Sequence, residues 1–290
     1  MRTALSMEGG AMRGMFTCGV IDVMMENGIS FDAAAGISAG AAFGCNLKSR
    51  QIGRPIRYNK RFGQDPRYMS IRSLVTTGDL YNADFCYREL PDVLDPFDRN
   101  AFSGNPMQFY IGATDVKTGK AVYHFCTDGE ERDIQWMRAS ASMPVVSRPV
   151  SVDGLLLLDG GISDPVPLSY MQGMGFEKNV VILTQPRGYR KKKSRGAALM
   201  RLALHRYPAV YNAMEKRHLV YNAQMDAIDL QEAQGTIFVI RPPENLAIRR
   251  TETKPEELER VYQTGRREAE RRLHALQAYL EISADGQKPE

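Results

Sequence analysis

A chain of 290 residues with 43% hydrophobic and 25% charged side chains has material for a sizeable core and is neither disordered nor fibrous. Its 38 basic and 34 acidic residues leave a net charge of +4, too weak a balance to argue for a nucleic-acid partner. No apolar run reaches the roughly 18 residues of a membrane span, Met1 to Glu8 is too short for an export signal, and Cys18, Cys45, Cys86 and Cys126 form no Cys-x-x-Cys pair, so a cytoplasmic protein with reduced thiols is expected.

In chain order, Thr3 to Met7 reads as a strand that runs into glycines, and Phe16, Val20, Val23 and Met24 carry the helical spacing of a segment starting near Arg13 and stopping at Asn27-Gly28. An extended piece around Ile29 to Ala35 leads into Gly36-Ile37-Ser38-Ala39-Gly40 and a second helix through Ala41, Phe43 and Leu47. Residues 50–105 are rich in Pro, Asp, Arg and aromatics and read as loops and short helices. Strands are predicted at Phe109 to Ala113, Ala121 to Phe125, Leu155 to Leu158 (after the turn signal Asp153-Gly154), Val180 to Leu183 and Ile237 to Ile240, with a helix near Ile134 to Ala141. Residues 197–233 look helical, and Leu258, Val261, Tyr262, Gly265, Ala269, Leu273, Leu276 and Leu280 form the apolar stripe of a final helix. Apolar strands separated by helices imply one α/β domain over residues 1–290, with a mainly parallel sheet covered on both faces and residues 197–290 as its largely helical C-terminal part.

Three elements could carry chemistry. In the pentapeptide Gly36 to Gly40, a serine on a sharp strand-to-helix turn exposes its hydroxyl, and the flanking Gly36 and Gly40 avoid clashes with the neighbouring strand and helix. The run Gly9-Gly10-Ala11-Met12-Arg13-Gly14 can aim consecutive peptide N–H groups at one point, as an oxyanion hole requires. Asp159-Gly160-Gly161 puts an aspartate at a strand's carboxyl end, where it can meet a serine at the same sheet edge; Asp153 reads as a turn residue. His124, His205, His218 and His274 lie in no glycine-flanked loop at a strand end, so a Ser38–Asp159 dyad fits better than a histidine triad. The rival reading is a dinucleotide-binding oxidoreductase using Gly9 to Gly14 with Asp32 as the ribose-binding acid, weakened by Ala11 at the central glycine position and by a very short second strand.

In this order the three elements closely resemble the patatin-like phospholipase family, whose pattern is Gly-Gly-Gly-x-Arg/Lys-Gly, then Gly-x-Ser-x-Gly, then Asp-Gly-Gly or Asp-Gly-Ala. The likeness covers most of residues 3–185, including the small-residue stretch Ala139 to Pro144; Ala11 and Asp164 depart from it. It implies a three-layer fold and a serine acyl hydrolase of lipid esters, with Ser38 as nucleophile and Asp159 as base. Gly10 and Ala11, with Gly9 or Met12, would hold the oxyanion, and Arg13, Gly14, Gly36, Gly40, Gly160 and Gly161 would support the motifs. No metal or organic cofactor is called for. Met12, Met15, Met24 and Met25 suit either an acyl pocket or plain core. The basic run Arg187 to Arg195 suggests weak, salt-sensitive contact with an anionic membrane, or a solvated loop; the sequence is silent on oligomeric state.

Overall fold

The computed structural model describes residues 1–193 and 197–281, with backbone alone over 197–199. Among the described residues eight strands form one sheet: β1 (Thr3–Met7), β2 (Ala33–Ile37), β3 (Gln108–Asp115), β4 (Ala121–Cys126), β5 (Val150–Val152), β6 (Leu155–Asp159), β7 (Lys178–Ile182) and β8 (Ile237–Ile240). The order is β5-β6-β3-β2-β1-β7-β8, and β4 pairs with β3. Strands β3, β2, β1, β7 and β8 run parallel, while β4, β5 and β6 are antiparallel to their neighbours. The helices are α1 (Gly14–Glu26), α2 (Ala39–Lys48), α3 (Arg54–Phe62), α4 (Ile71–Thr77), α5 (Arg99–Gly104), α6 (Glu131–Ser140), α7 (Leu168–Gly173), α8 (Ala197–Ala203), α9 (Pro208–Ala233) and α10 (Pro255–Leu280); Phe85–Leu94 is a π-helix around Pro91.

Successive strand side chains point to opposite faces, and here both faces are covered. Leu5, Met7, Ala34 and Ile182 join the large cluster with α1, α2 and α10, including Met15 and Met24. Ala4, Ala33 and Ala35 pack with Met171 of α7, and Val181 and Val239 with Tyr221, Met225 and Ile228 of α9. Helix α10 docks on α1 by close backbone approach: a Cβ on Gly19 would lie 2.1 Å from Tyr262 O, and one on Gly265 2.1 Å from Phe16 O. Among the described residues no helix is long and apolar enough to cross a membrane.

One feature of the register positions the site. Gly112 of β3 pairs with Ile37 of β2, and the next residue, Ala113, pairs with Asp159 of β6. Both also pair with β4, so β2 and β6 share the opposite edge of β3. Because β2 runs parallel to β3 and β6 antiparallel, their carboxyl ends point at each other across consecutive residues of one strand.

Candidate active site

That convergence brings together the residues singled out in the sequence. Ser38 Oγ donates to Asp159 Oδ2 at 2.8 Å. Ser38 is half-buried at the N-cap of α2 with φ 54 and ψ −118, a conformation that costs about 1–3 kcal/mol and turns its hydroxyl out of the strand. The turn depends on its glycines: a Cβ on Gly36 would lie 2.2 Å from Gly40 O, and one on Gly40 2.4 Å from Met7 O. Gly160 is equally confined, 2.3 Å from Gly112 O.

The stretch Ala139 to Pro144 holds both partners. Ser38 N–H donates to Ser140 Oγ at 2.8 Å, and the Ser140 hydroxyl donates to Gly112 O at 2.6 Å. Asp159 N–H donates to Ser142 O at 2.8 Å. The Asp159 side chain, 2% exposed, also accepts Gly161 N–H on Oδ1 at 2.7 Å. Burial pushes its pKa up; the charge of Arg217 and the hydrogen bonds from Ser38 and Gly161 pull the other way, and the carboxyl stays above the ordinary carboxylate value.

The glycine loop after β1 divides its work differently from expectation. Gly9, a candidate oxyanion donor, uses its N–H on Pro165 O at 3.3 Å. Its service is close approach, since a Cβ there would lie 3.1 Å from Ser38 Cβ. No acceptor among the described residues takes the N–H of Gly10 or Ala11. Ala11 adopts φ 49, the left-handed conformation suited to glycine, so alanine keeps the backbone path at a cost of about 1–2 kcal/mol. Met12 is buried and lines the cavity. Gly14 lets α1 start against α2, where a Cβ would lie 2.8 Å from Ala39 Cβ; Arg13 buries its Nε without a partner among the described residues. At the start of α2 the first peptide N–H groups, Ala39's among them, have no intrahelical acceptor and favour negative charge beside Ser38; the pentapeptide held that signal.

Ser38 and Asp159 line a cavity of about 680 Å³. Much of its lining is apolar, with Phe43, Tyr58, Tyr87, Leu90, Phe97 and Met137 on its walls. Tyr87 and Leu90 come from the π-helix, a wide coil of a kind often found at functional sites. Of Met12, Met15, Met24 and Met25, Met12 alone reaches this cavity; Met15 and Met24 are core and Met25 packs against it.

Sequence reasoning missed the contribution of α9 and its neighbours. Arg217 Nε donates to Gly161 O, and a Cβ on Gly161 would lie 3.2 Å from Arg217 Nη2. His218, which lies in no glycine-flanked loop, also lines the cavity, as do Lys191, Lys192 and Arg250. The basic run does not behave as a free arm: Arg187 pairs with Glu232 and Arg190 with Asp226, both on α9. Its Ser194 and Arg195 lie outside the described residues, as do residues 282–290 of the C-terminal part. Among the remaining candidates, Asp153 is structural, taking Trp136 Nε1–H at 2.8 Å, and Asp164 accepts from Tyr123 and Gln224. Asp32 sits before β2, accepting from Thr3 N–H at 2.6 Å, at the opposite end of the sheet from the glycine loop; it is misplaced for the ribose acid of the dinucleotide reading.

Two segments of the chain match known families. A family model described as patatin-like phospholipase matches residues 5–171, and one for a domain of unknown function (DUF6363) matches residues 207–281. An uncharacterized protein YjjU of Escherichia coli is 33% identical over 195 residues, covering 64% of this chain and 52% of the relative. An uncharacterized NTE family protein of Mycobacterium bovis is 28% identical over 62% of this chain and 48% of its own length. Lysophospholipase nte1 of Aspergillus niger is 27% identical over 59% of this chain and 11% of that much longer protein. The chain thus spans about half the length of the bacterial relatives. The solved structure of VipD from Legionella pneumophila overlaps loosely, with a TM-score of 0.44 and 13% identity over 94% of this chain and 67% of that one.

Proposed function

The chain belongs to the patatin-like phospholipase family, and from that premise we propose that it is a serine acyl hydrolase cleaving carboxylic esters of lipids through Ser38 and Asp159. The observation that carries this reading is the 2.8 Å hydrogen bond from Ser38 Oγ to Asp159 Oδ2 on the wall of a largely apolar cavity. Ser38 Oγ attacks the ester carbonyl while its proton passes to Asp159. A carboxylate of ordinary pKa near 3.9 is a weak base at neutral pH, and the raised value of Asp159 makes it a stronger one. The developing oxyanion is held by the N–H groups of Gly10 and Ala11, helped by the α2 N-terminus; one such donor contributes roughly 2.7–4 kcal/mol in comparable sites.

Collapse of the tetrahedral intermediate expels the alcohol, which takes the proton from Asp159 and leaves Ser38 acylated. Asp159 then accepts a proton from the incoming water, and the fatty acid leaves as Ser38 regains its hydrogen. Side chains and water balance the whole cycle. Among the described residues no histidine is hydrogen-bonded to Ser38; His124 is held by Asp133 at 2.7 Å. Peripheral contact with an anionic membrane would fall to Lys192 and Lys193, because Arg187 and Arg190 are already paired. Ser38→Ala should abolish turnover of a short p-nitrophenyl ester with an unchanged unfolding midpoint; retained turnover would overturn the assignment.

A further inference from the structure

Several arginines of this protein are matched to carboxylates: Arg187 to Glu232, Arg190 to Asp226, Arg266 to Glu26 and Arg241 to Asp229. Four cations at the catalytic cavity are not. Lys191, Lys192, Arg217 and Arg250 line the same cavity as Ser38, and among the described residues none of them forms an ion pair within 4.0 Å.

Lys191 is placed deliberately by its surroundings. Its N–H donates to Asn222 Oδ1 at 2.8 Å and its carbonyl accepts from Asn222 Nδ2 at 3.1 Å, which fixes the backbone against α9. Its ammonium lies 4.3 Å from the centre of the Tyr221 ring. Tyr221 OH donates to Glu8 Oε1 at 3.0 Å and Thr184 N–H to Glu8 Oε2 at 2.6 Å, so both oxygens of this nearby acid are engaged. Burial lowers the Lys191 pKa to about 7, and Arg217, Arg250 and Arg13 add to the fall against the opposing pull of Glu8. Gathering like charges in a partly dry cavity is unfavourable until an anion joins them. Of the other arginines lining the cavity, Arg54 is matched to Asp95 at 3.4 Å and Arg138 to Asp79 at 3.2 Å.

We propose that Lys191, Arg217 and Arg250 form an anion subsite for a phosphate group on the alcohol half of the ester, so that substrates with an unmasked phosphate are preferred over neutral and zwitterionic ones. This rests on the hydrolase reading above. Arg217 stands beside the Asp159 turn, so the cationic group begins next to the reacting serine. A lone carboxylate is saturated by one bidentate arginine, whereas phosphate offers more oxygens and up to two charges, which suits three cations arriving from separate segments. A choline or amine attached to the phosphate would carry its own positive charge toward this cluster. All three residues lie beyond the segment matched by the phospholipase model; Arg217 and Arg250 lie in the segment of unknown function, which thereby acquires a role in substrate choice.

The test compares monododecanoyl glycerol, its 3-phosphate and its 3-phosphocholine, each below its micelle concentration. Wild type should favour the phosphate monoester over the neutral ester by at least about tenfold in kcat/KM, a difference typical of one well-made charged contact. In Arg250→Gln and Lys191→Gln that ratio should fall toward one; equal kcat/KM for the three esters in wild type overturns the subsite. Inhibition of neutral-ester turnover by inorganic phosphate, without preference for the phosphate ester, would assign the cations to free phosphate and overturn the substrate claim. Calorimetric titration of Ser38→Ala protein with dodecyl phosphate and with dodecylphosphocholine reads the subsite without turnover. Tighter binding of the phosphate, lost on adding Arg250→Gln, supports it, and equal binding contradicts it. Failure to hydrolyse any of the esters would defeat the hydrolase reading while the titration still decides the subsite.

Discussion

Two aspartates, Asp133 near the start of α6 and Asp159 beside its end, are 1% and 2% exposed, yet burial leaves them opposite in character. Asp133 Oδ2 accepts the N–H groups of Thr127, Asp128 and Gly129 at 2.9, 3.1 and 2.8 Å, and its Oδ1 faces His124 Nε2 at 2.7 Å. Burial pushes its pKa up, but the bonds from His124, Gly129 and Asp128 outweigh it and the carboxyl ends below its ordinary value. Asp159 receives one peptide N–H and the Ser38 hydroxyl, and for it burial wins. A dry carboxylate with its oxygens filled by donors is suited to anchoring; one left short of donors is suited to taking a proton. The nearby Cys126 gives the first site a metal-like set of ligand atoms within 4.8 Å, but with both Asp133 oxygens engaged by the protein we read that cluster as a strut for the β4–α6 loop.

Exchanging each carboxylate for its amide should separate the two roles most sharply. Asp159→Asn should lower kcat for an ester by on the order of 10³–10⁴-fold, with an unfolding midpoint unchanged or raised, because a costly buried charge is removed. Asp133→Asn should do the reverse, costing about 2–4 kcal/mol in urea unfolding while kcat/KM stays near wild type. Comparable activity losses in both would dissolve the distinction. Ser140→Ala strips the Ser38 N–H of its acceptor and Gly112 of a donor, and steady-state kinetics should show about a tenfold drop in kcat, from the roughly 1–3 kcal/mol of an unsatisfied buried group.

The pH response sharpens the same contrast. The acid limb of kcat/KM should follow protonation of Asp159, with a midpoint above roughly 3.9. For stability the signs oppose. The folded pKa of Asp159 is raised, so its contribution is complete below roughly pH 3.9 and is lost as pH rises through the folded value; Asp159→Asn should flatten that part of the curve. Asp133 is lowered, so its contribution is present above roughly pH 3.9 and lost as pH falls through its folded value, and Asp133→Asn should weaken this acid-sensitive part. Smallest of all, Ala11→Gly should raise the urea midpoint by an amount worth about 0.5–1 kcal/mol, the relief of a left-handed alanine less the added freedom of the unfolded chain.

Much of this was legible in the residues because local rules agreed with the fold. Helical spacing and Asn27-Gly28 placed α1, observed at Gly14–Glu26, and the glycines around Ser38 marked the turn into α2. What could not be read locally was register. Nothing in the sequence says that Ile37 and Asp159 take consecutive partners on β3, yet that pairing makes the site. The Gly9 N–H looked like a donor because its acceptor, Pro165 O, lies far along the chain. Arg217, Lys191 and Arg250 were hidden for a similar reason: which cations of a charged segment turn inward is decided by tertiary packing, and the run from Arg187 spends its first arginines on α9 carboxylates before Lys191 reaches the cavity.

In the proposed mechanism the hydroxyl activated by Asp159 is the one that becomes acylated. Wild-type protein treated with a fluorophosphonate and mapped by peptide mass spectrometry should carry a single adduct, on Ser38, with labelling greatly slowed in Asp159→Asn. An adduct on any other residue, or none from a preparation that hydrolyses esters, would contradict the account.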